Sequence, residues 1–195
     1  IAPELVPYLP QTEGLLTLLT VPVDEALLEQ MPQLKVVSNM AVGVDNIDLV
    51  ACSVRGIPVG HTPDVLTDGT ADLTLALLLA VARQIPQASK DAREGRWTTW
   101  SPTGWLGADL KGATLGIVGL GKIGIAVAER ATAFGLQIVY HSRSRKIEVE
   151  NRLGAREVSL RDLMISSDFV SLHPPLTQET YHLIDAAELQ LMKPT

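Results

Sequence analysis

Three glycines stand between an apolar run and an amphipathic pattern, in Leu115-Gly116-Ile117-Val118-Gly119-Leu120-Gly121-Lys122-Ile123-Gly124. Glycine is common, so the spacing G-x-G-x-x-G says little alone. A buried strand leading in and a helix leading out give it a mechanism. Gly119 permits a tight turn. Gly121 lets backbone approach a pyrophosphate with no Cβ in the way, and Gly124 lets helix and strand pack closely. Free N–H groups at the helix start, helped by the helix dipole, then favour phosphate. The stretch Gly119 to Gly124, with Leu120, Lys122 and Ile123, is therefore a candidate dinucleotide seat. The plainer alternative is a strand-to-helix turn that holds no ligand.

The end of the next strand bears on which dinucleotide would sit there. An acidic residue about 20 positions past the glycines holds the ribose 2′-hydroxyl of NAD. This chain instead reads Val139-Tyr140-His141-Ser142-Arg143-Ser144-Arg145-Lys146. Arg143 can grip a 2′-phosphate bidentately, and Ser142 and Ser144 can donate to it. NADP(H) is the expected cofactor, with NAD as the alternative. A solvated basic turn is the reading without function.

Short apolar runs alternate with helical patterns, which indicates βαβ units and a parallel sheet, an α/β fold. Strands are expected at Leu15–Leu19, Leu34–Ser38, Ile57–Gly60, Thr114–Val118, Leu136–Tyr140 and Phe169–Leu172. Helices are expected after Asp24, over Ile47–Val54, Ile123–Phe134, Lys146–Leu153 and Ser159–Met164, and after Asp185. One long helix is expected from about Ala71 to Lys90, kinked at Pro86. A boundary near Leu66 divides residues 1–66 from residues 67–195. All three tryptophans fall in Trp97 to Trp105, either a satellite core under a loop or a contact for a ligand or partner.

Composition narrows the function classes. With 16 basic and 22 acidic residues the net charge is −6, which disfavours a nucleic-acid surface. The single cysteine, Cys52, excludes an internal disulfide framework and a cysteine-rich metal site. No cluster of side chains has metal-ligand spacing. The longest apolar stretch, Leu73 to Ala82, is too short to cross a bilayer. The expected setting is cytoplasmic, with no membrane and no nucleic-acid partner. A start at Ile1 and a stop at Lys193-Pro194-Thr195, just past a helical pattern, suggest a fragment.

Several further motifs occur in order. They are Ala41-Val42-Gly43-Val44-Asp45-Asn46-Ile47-Asp48, then Gly60-His61-Thr62-Pro63-Asp64-Val65-Leu66-Thr67-Asp68, then Ala71 to Ala80. Pro174-Pro175-Leu176-Thr177 with Glu179-Thr180 follows the glycines. With these the chain resembles the D-isomer-specific 2-hydroxyacid dehydrogenase family, and within it the glyoxylate/hydroxypyruvate reductase group, over nearly its whole length. The resemblance implies a flavodoxin-like substrate lobe and a Rossmann-type, doubly wound parallel-sheet cofactor lobe, both incomplete here. It implies reversible hydride transfer to a small 2-oxo acid, glyoxylate or hydroxypyruvate, and a homodimer.

The resemblance also implies residue roles. Val42 and Gly43 would offer backbone N–H groups to the substrate carboxylate, which is sound chemistry for an anion in a turn. Trp100 would reach a neighbouring subunit's active site and favour small substrates. Thr70 and Pro175 would contact the cofactor. Relatives carry catalysis on an Arg, a Glu and a His in a region C-terminal to Thr195. None of His61, His141, His173 and His182 matches that histidine, and each reads as satisfied or exposed. No catalytic residue is assigned within this chain, and its 195 residues are not expected to support turnover alone. Phosphoglycerate or D-lactate dehydrogenases, and a dinucleotide-sensing corepressor, are the rival readings.

Overall fold

The computed structural model describes residues 1–194. The chain divides into two compact units, Ile1–Leu66 with Pro175–Tyr181, and Thr67–Pro174 with His182 onward. The stretch 67–195, expected to form one lobe, therefore yields Pro175–Tyr181 to the first unit.

The first unit begins with a 3-10 helix, Pro3–Gln11, and holds a parallel sheet of β1 (Gly14–Thr17), β2 (Val36–Asn39) and β3 (Val59–Gly60) in that spatial order. Helices α1 (Glu25–Glu29) and α2 (Leu49–Val54) connect them. Each starts where an aspartate caps it: Asp24 accepts from Leu27 N at 2.9 Å, and Asp48 from Ala51 N at 2.9 Å. Leu28, Met31, Val23, Val37 and Cys52 close the core of this unit. Each fully buried aliphatic side chain there stabilises by about 1.5–3 kcal/mol.

The second unit holds a parallel sheet of β4 (Thr114–Val118), β5 (Gln137–His141), β6 (Arg156–Glu157) and β7 (Phe169–Leu172), in the order β6-β5-β4-β7. β4 is buried without a break from Leu115 to Val118, as a strand covered on both faces requires. Its neighbours lie on opposite sides, β5 next in sequence and β7 later. The order thus reverses beside β4, and in open α/β sheets such a switch point is where ligands bind.

The connecting helices are α3 (Thr67–Ala82), α4 (Ile85–Arg93), α5 (Lys122–Ala133), α6 (Ile147–Leu153), α7 (Leu160–Ser166) and α8 (Ala186–Leu191). Asp185 caps α8 in a capping box with Glu188. Leu115, Ile117, Val127 and Tyr140 lie at the centre of the core, fully buried. Arg130 on α5 bridges Asp72 at 2.6 Å and Asp68 at 2.8 Å, both on α3.

Two expectations need correction. The long helix from Ala71 to Lys90 is two helices, separated at Gln84, whose φ is 52°. Pro86 has no N–H, and its ring would collide with the Ala82 carbonyl if the helix ran on. That carbonyl instead accepts from Ala108 N at 2.8 Å. The Trp97–Trp105 loop forms no satellite core either, since Trp97, Trp100 and Trp105 are all exposed. Among the described residues, no helix is long and apolar enough to cross a membrane.

Candidate functional site

The turn from β4 into α5 in the second unit is built by its glycines. Gly119 has φ +89°, and a Cβ there would lie 2.8 Å from the backbone of His173 and Pro174. The turn is thus held against the end of β7, at the point where the strand order reverses. Its N–H donates to His141 O at 2.8 Å, which joins it to the end of β5 as well. A Cβ on Gly124 would strike the Gly119 carbonyl, so the first turn of α5 lies directly on this bend. Gly121 differs: a Cβ there would meet nothing within 4 Å. Space therefore opens at the middle glycine and is closed at the other two.

The helix start supplies the donors. Gly121 is the N-cap of α5 and makes no side-chain capping bond. The first bond along the axis runs from Ile125 N to Gly121 O at 2.9 Å, so the N–H groups of Ile123 and Gly124 have no acceptor within the helix. Leu120 is fully buried, so it packs beneath the turn. Ile123 is half-buried with its side chain against the core, which leaves its main chain to face a ligand. Open space, free donors and the positive end of a helix dipole together fit a pyrophosphate.

The turn after β5 is braced from beneath. The Tyr140 hydroxyl, fully buried, donates to Glu150 Oε1 at 2.8 Å and accepts from Lys146 N at 2.7 Å. Glu150 also takes Arg145 through Nε and Nη2, at 3.0 and 2.8 Å. Arg145 and Tyr140 hold the Glu150 carboxyl below the usual carboxylate range. Arg145 is therefore committed to the protein. Arg143 is exposed and, among the described residues, has no ion-pair partner. Ser142 and Ser144 flank it, half-buried and exposed.

Removing the brace should loosen this turn. In Tyr140→Phe the Lys146 N–H loses its acceptor at a part-buried site, which costs about 1–3 kcal/mol. Thermal unfolding should show a midpoint several degrees lower, and an unchanged midpoint would contradict the bracing role.

The remaining candidates lie elsewhere. Thr70 lies on α3, and its carbonyl accepts from Thr74 Oγ1 at 2.8 Å. It lines a cavity of about 980 Å³ within the second unit, walled by α3, Leu106–Asp109 and β7 through His173. The Gly119–Gly124 turn is not part of that lining. Pro175 is exposed in the segment grouped with the first unit, and its carbonyl accepts from Thr180 Oγ1 at 2.6 Å. Trp100 is exposed on the loop after α4. His173 donates to or accepts from Ser171 Oγ at 2.8 Å, and burial lowers its pKa, so it sits neutral.

In the first unit, Val42 and Gly43 follow β2. Among the described residues neither of their N–H groups has an acceptor. Gly43 has the side chain of Asp45 beside it: a Cβ at 43 would meet Asp45 Oδ1 at 2.7 Å. Tyr140 and Glu150 brace the turn without any signal in the sequence. Their contact spans ten positions across a strand end and a helix, and no local pattern announces it.

Known proteins resemble this chain in sequence and fold. The D-isomer specific 2-hydroxyacid dehydrogenase NAD binding domain matches residues 75–195. A glyoxylate reductase of Thermococcus litoralis is 53% identical over 188 residues, covering 94% of this chain and 57% of that protein. The crystal structure of the TT0316 protein from Thermus thermophilus superposes with TM-score 0.91 at 46% identity, covering 99% of this chain and 61% of that one. A D-lactate dehydrogenase of Aquifex aeolicus, complexed with NAD and lactic acid, gives TM-score 0.89 at 31% identity, with 96% and 56% covered. The chain thus spans little more than half the length of these relatives.

Proposed function

Since this chain belongs to the D-isomer specific 2-hydroxyacid dehydrogenase family, we propose that it is the ligand-holding part of an NADP(H)-preferring reductase of small 2-oxo acids, with glyoxylate and hydroxypyruvate the leading substrates. The observation that carries the reading is the turn Gly119–Gly124, open at Gly121, with partner-free Arg143 at the end of the adjacent strand. The identity to a glyoxylate reductase, 53%, against 31% to a D-lactate dehydrogenase, supports the substrate class.

The nicotinamide, when bound, supplies the hydride. This chain's residues bind and orient. Main-chain N–H groups at the start of α5 take the diphosphate, and Arg143 with Ser142 and Ser144 takes the 2′-phosphate. Val42 and Gly43 N–H groups take the substrate carboxylate. Thr70 and Pro175 are further cofactor contacts, and Trp100 limits substrate size. No residue here is assigned as the proton donor. A homodimer is supported by Leu73, Leu77 and Val81, exposed along α3, and by the exposed tryptophan loop.

Titrating the chain with NADPH and with NADH, followed by nicotinamide fluorescence, tests the reading. NADPH should bind about ten-fold more tightly or better, the scale of one charge-assisted contact. Equal affinities, or tighter NADH, would remove the NADP(H) preference. Binding of neither would remove the cofactor seat.

A further inference from the structure

The loop after β2 has a pattern that no single residue reveals. Three successive carbonyls are each held by a donor from elsewhere in the first unit. Ala41 O accepts from Thr62 N at 2.9 Å, Val42 O from His61 Nδ1 at 2.9 Å, and Gly43 O from Asn39 Nδ2 at 2.9 Å. A carbonyl can only accept, so His61 carries a proton on Nδ1.

All peptide bonds in the described chain are trans. In a trans peptide the C=O and the following N–H point in opposite directions. Tying down the carbonyls of Ala41, Val42 and Gly43 therefore turns the N–H groups of Val42, Gly43 and Val44 away from the three donors. None of these N–H groups has an acceptor among the described residues. Free main-chain N–H groups on neighbouring loop residues are donors available to an anion.

Two side chains set this arrangement. Asn39 is fully buried at the end of β2, and its second amide hydrogen goes to Asn46 Oδ1 at 3.0 Å. Asn46 in turn donates to Leu18 O and Val21 O, both at 3.0 Å, so the loop after β1 anchors the assembly. With both hydrogens committed, Asn39 cannot rotate without breaking two bonds. Its Oδ1 is buried with no partner, a cost the fold bears to keep the amide in this orientation. His61 is exposed and is placed by the register of β3 on β2, which pairs Ser38 with Gly60.

We propose that His61 and Asn39 are positioning residues for the substrate carboxylate, acting through the carbonyls of Val42 and Gly43 to present the N–H groups of Val42, Gly43 and Val44 to it. This rests on the reading of Val42 and Gly43 as carboxylate donors. It adds two residues that never touch the substrate, one of them on the surface.

The test uses the 195-residue chain labelled with 15N and titrated with oxamate, a small 2-oxo acid isostere. In the wild type the amide signals of Val42, Gly43 and Val44 should shift saturably. His61→Ala should bind oxamate about five-fold more weakly, the value of one lost hydrogen bond. His61→Asn keeps an N–H donor and should restore affinity to within about two-fold of wild type. Asn39→Ala should weaken binding in the same direction. If it does not fold, as missing β2 amide dispersion would show, the two His61 variants decide. His61→Ala binding as tightly as wild type, or His61→Asn binding as weakly as His61→Ala, overturns the proposal. A wild type whose three amides do not move overturns the carboxylate reading itself, and the positioning roles with it.

Discussion

Gly119→Ala should abolish measurable dinucleotide binding and destabilise the second unit by about 2–4 kcal/mol. Two independent costs add. The residue has φ +89°, a conformation that a Cβ disfavours. The new methyl would also lie 2.8 Å from His173 C and Pro174 N, which are backbone atoms and cannot swing aside as a side-chain tip would. Either β7 retreats from β4 or the turn opens. Both displace the start of α5, whose N–H groups hold the diphosphate in this reading. Gly121→Ala is the control. It introduces a methyl with nothing within 4 Å, so the fold should survive while the ligand's approach is blocked. Unfolding midpoints and NADPH titrations on the two variants separate these effects. Gly119→Ala with a wild-type midpoint and wild-type affinity would show that the turn does not work as described.

The contrast between these glycines explains what the sequence could reveal. Each glycine's task concerns its own backbone and neighbours a few positions away, so a local pattern carries it. β4 and β7 were legible to the residue, Thr114–Val118 and Phe169–Leu172, because they are short apolar runs with turn formers at their ends. The caps at Asp24 and Asp185 were legible for the same reason. β6, only Arg156–Glu157, was not: an edge strand of two exposed residues has no apolar signal and exists through its pairing with β5. The 3-10 helix Pro3–Gln11 has no 3.6-residue periodicity to find. Pro86 is plain in the sequence, but whether it bends or ends a helix depends on whether the freed Ala82 carbonyl finds another donor. Ala108 N, 26 positions on, provides it.

The same logic separates the site residues. Val42 and Gly43 could be named from a motif. His61 could not, because its contact is created by strand register: pairing Ser38 with Gly60 brings the chain after β3 alongside the chain after β2. Asn39 reaches Gly43 four positions on, yet only the bend of the loop brings that carbonyl back to it. The tryptophans were visible as a cluster, yet their exposure is a property of what surrounds the loop. Burial is settled by tertiary contacts, and a sequence shows only the capacity for them.

Arg143→Asp should reverse the cofactor preference. At low salt NADPH should bind roughly thirty-fold more weakly or worse, since a charge-assisted bidentate contact is exchanged for a repelling carboxylate. NADH affinity should hold or rise, because a carboxylate at this strand end can accept from the ribose 2′-hydroxyl. The effect must reside in Arg143 rather than in its basic neighbour. Arg145 is paired with Glu150 at 2.8 Å, and Glu150 is also held by Tyr140. Arg145→Ala should therefore lower stability, by freeing the turn, more than it lowers NADPH selectivity. Salt gives a further check. Arg143 is exposed, so its attraction for the phosphate is screened as the Debye length contracts. The wild-type preference for NADPH should narrow with added salt, whereas that of Arg143→Asp should move little or in the opposite sense. Equal loss of NADPH and NADH affinity in Arg143→Asp would mean that the arginine shapes the turn and does not read the 2′-phosphate.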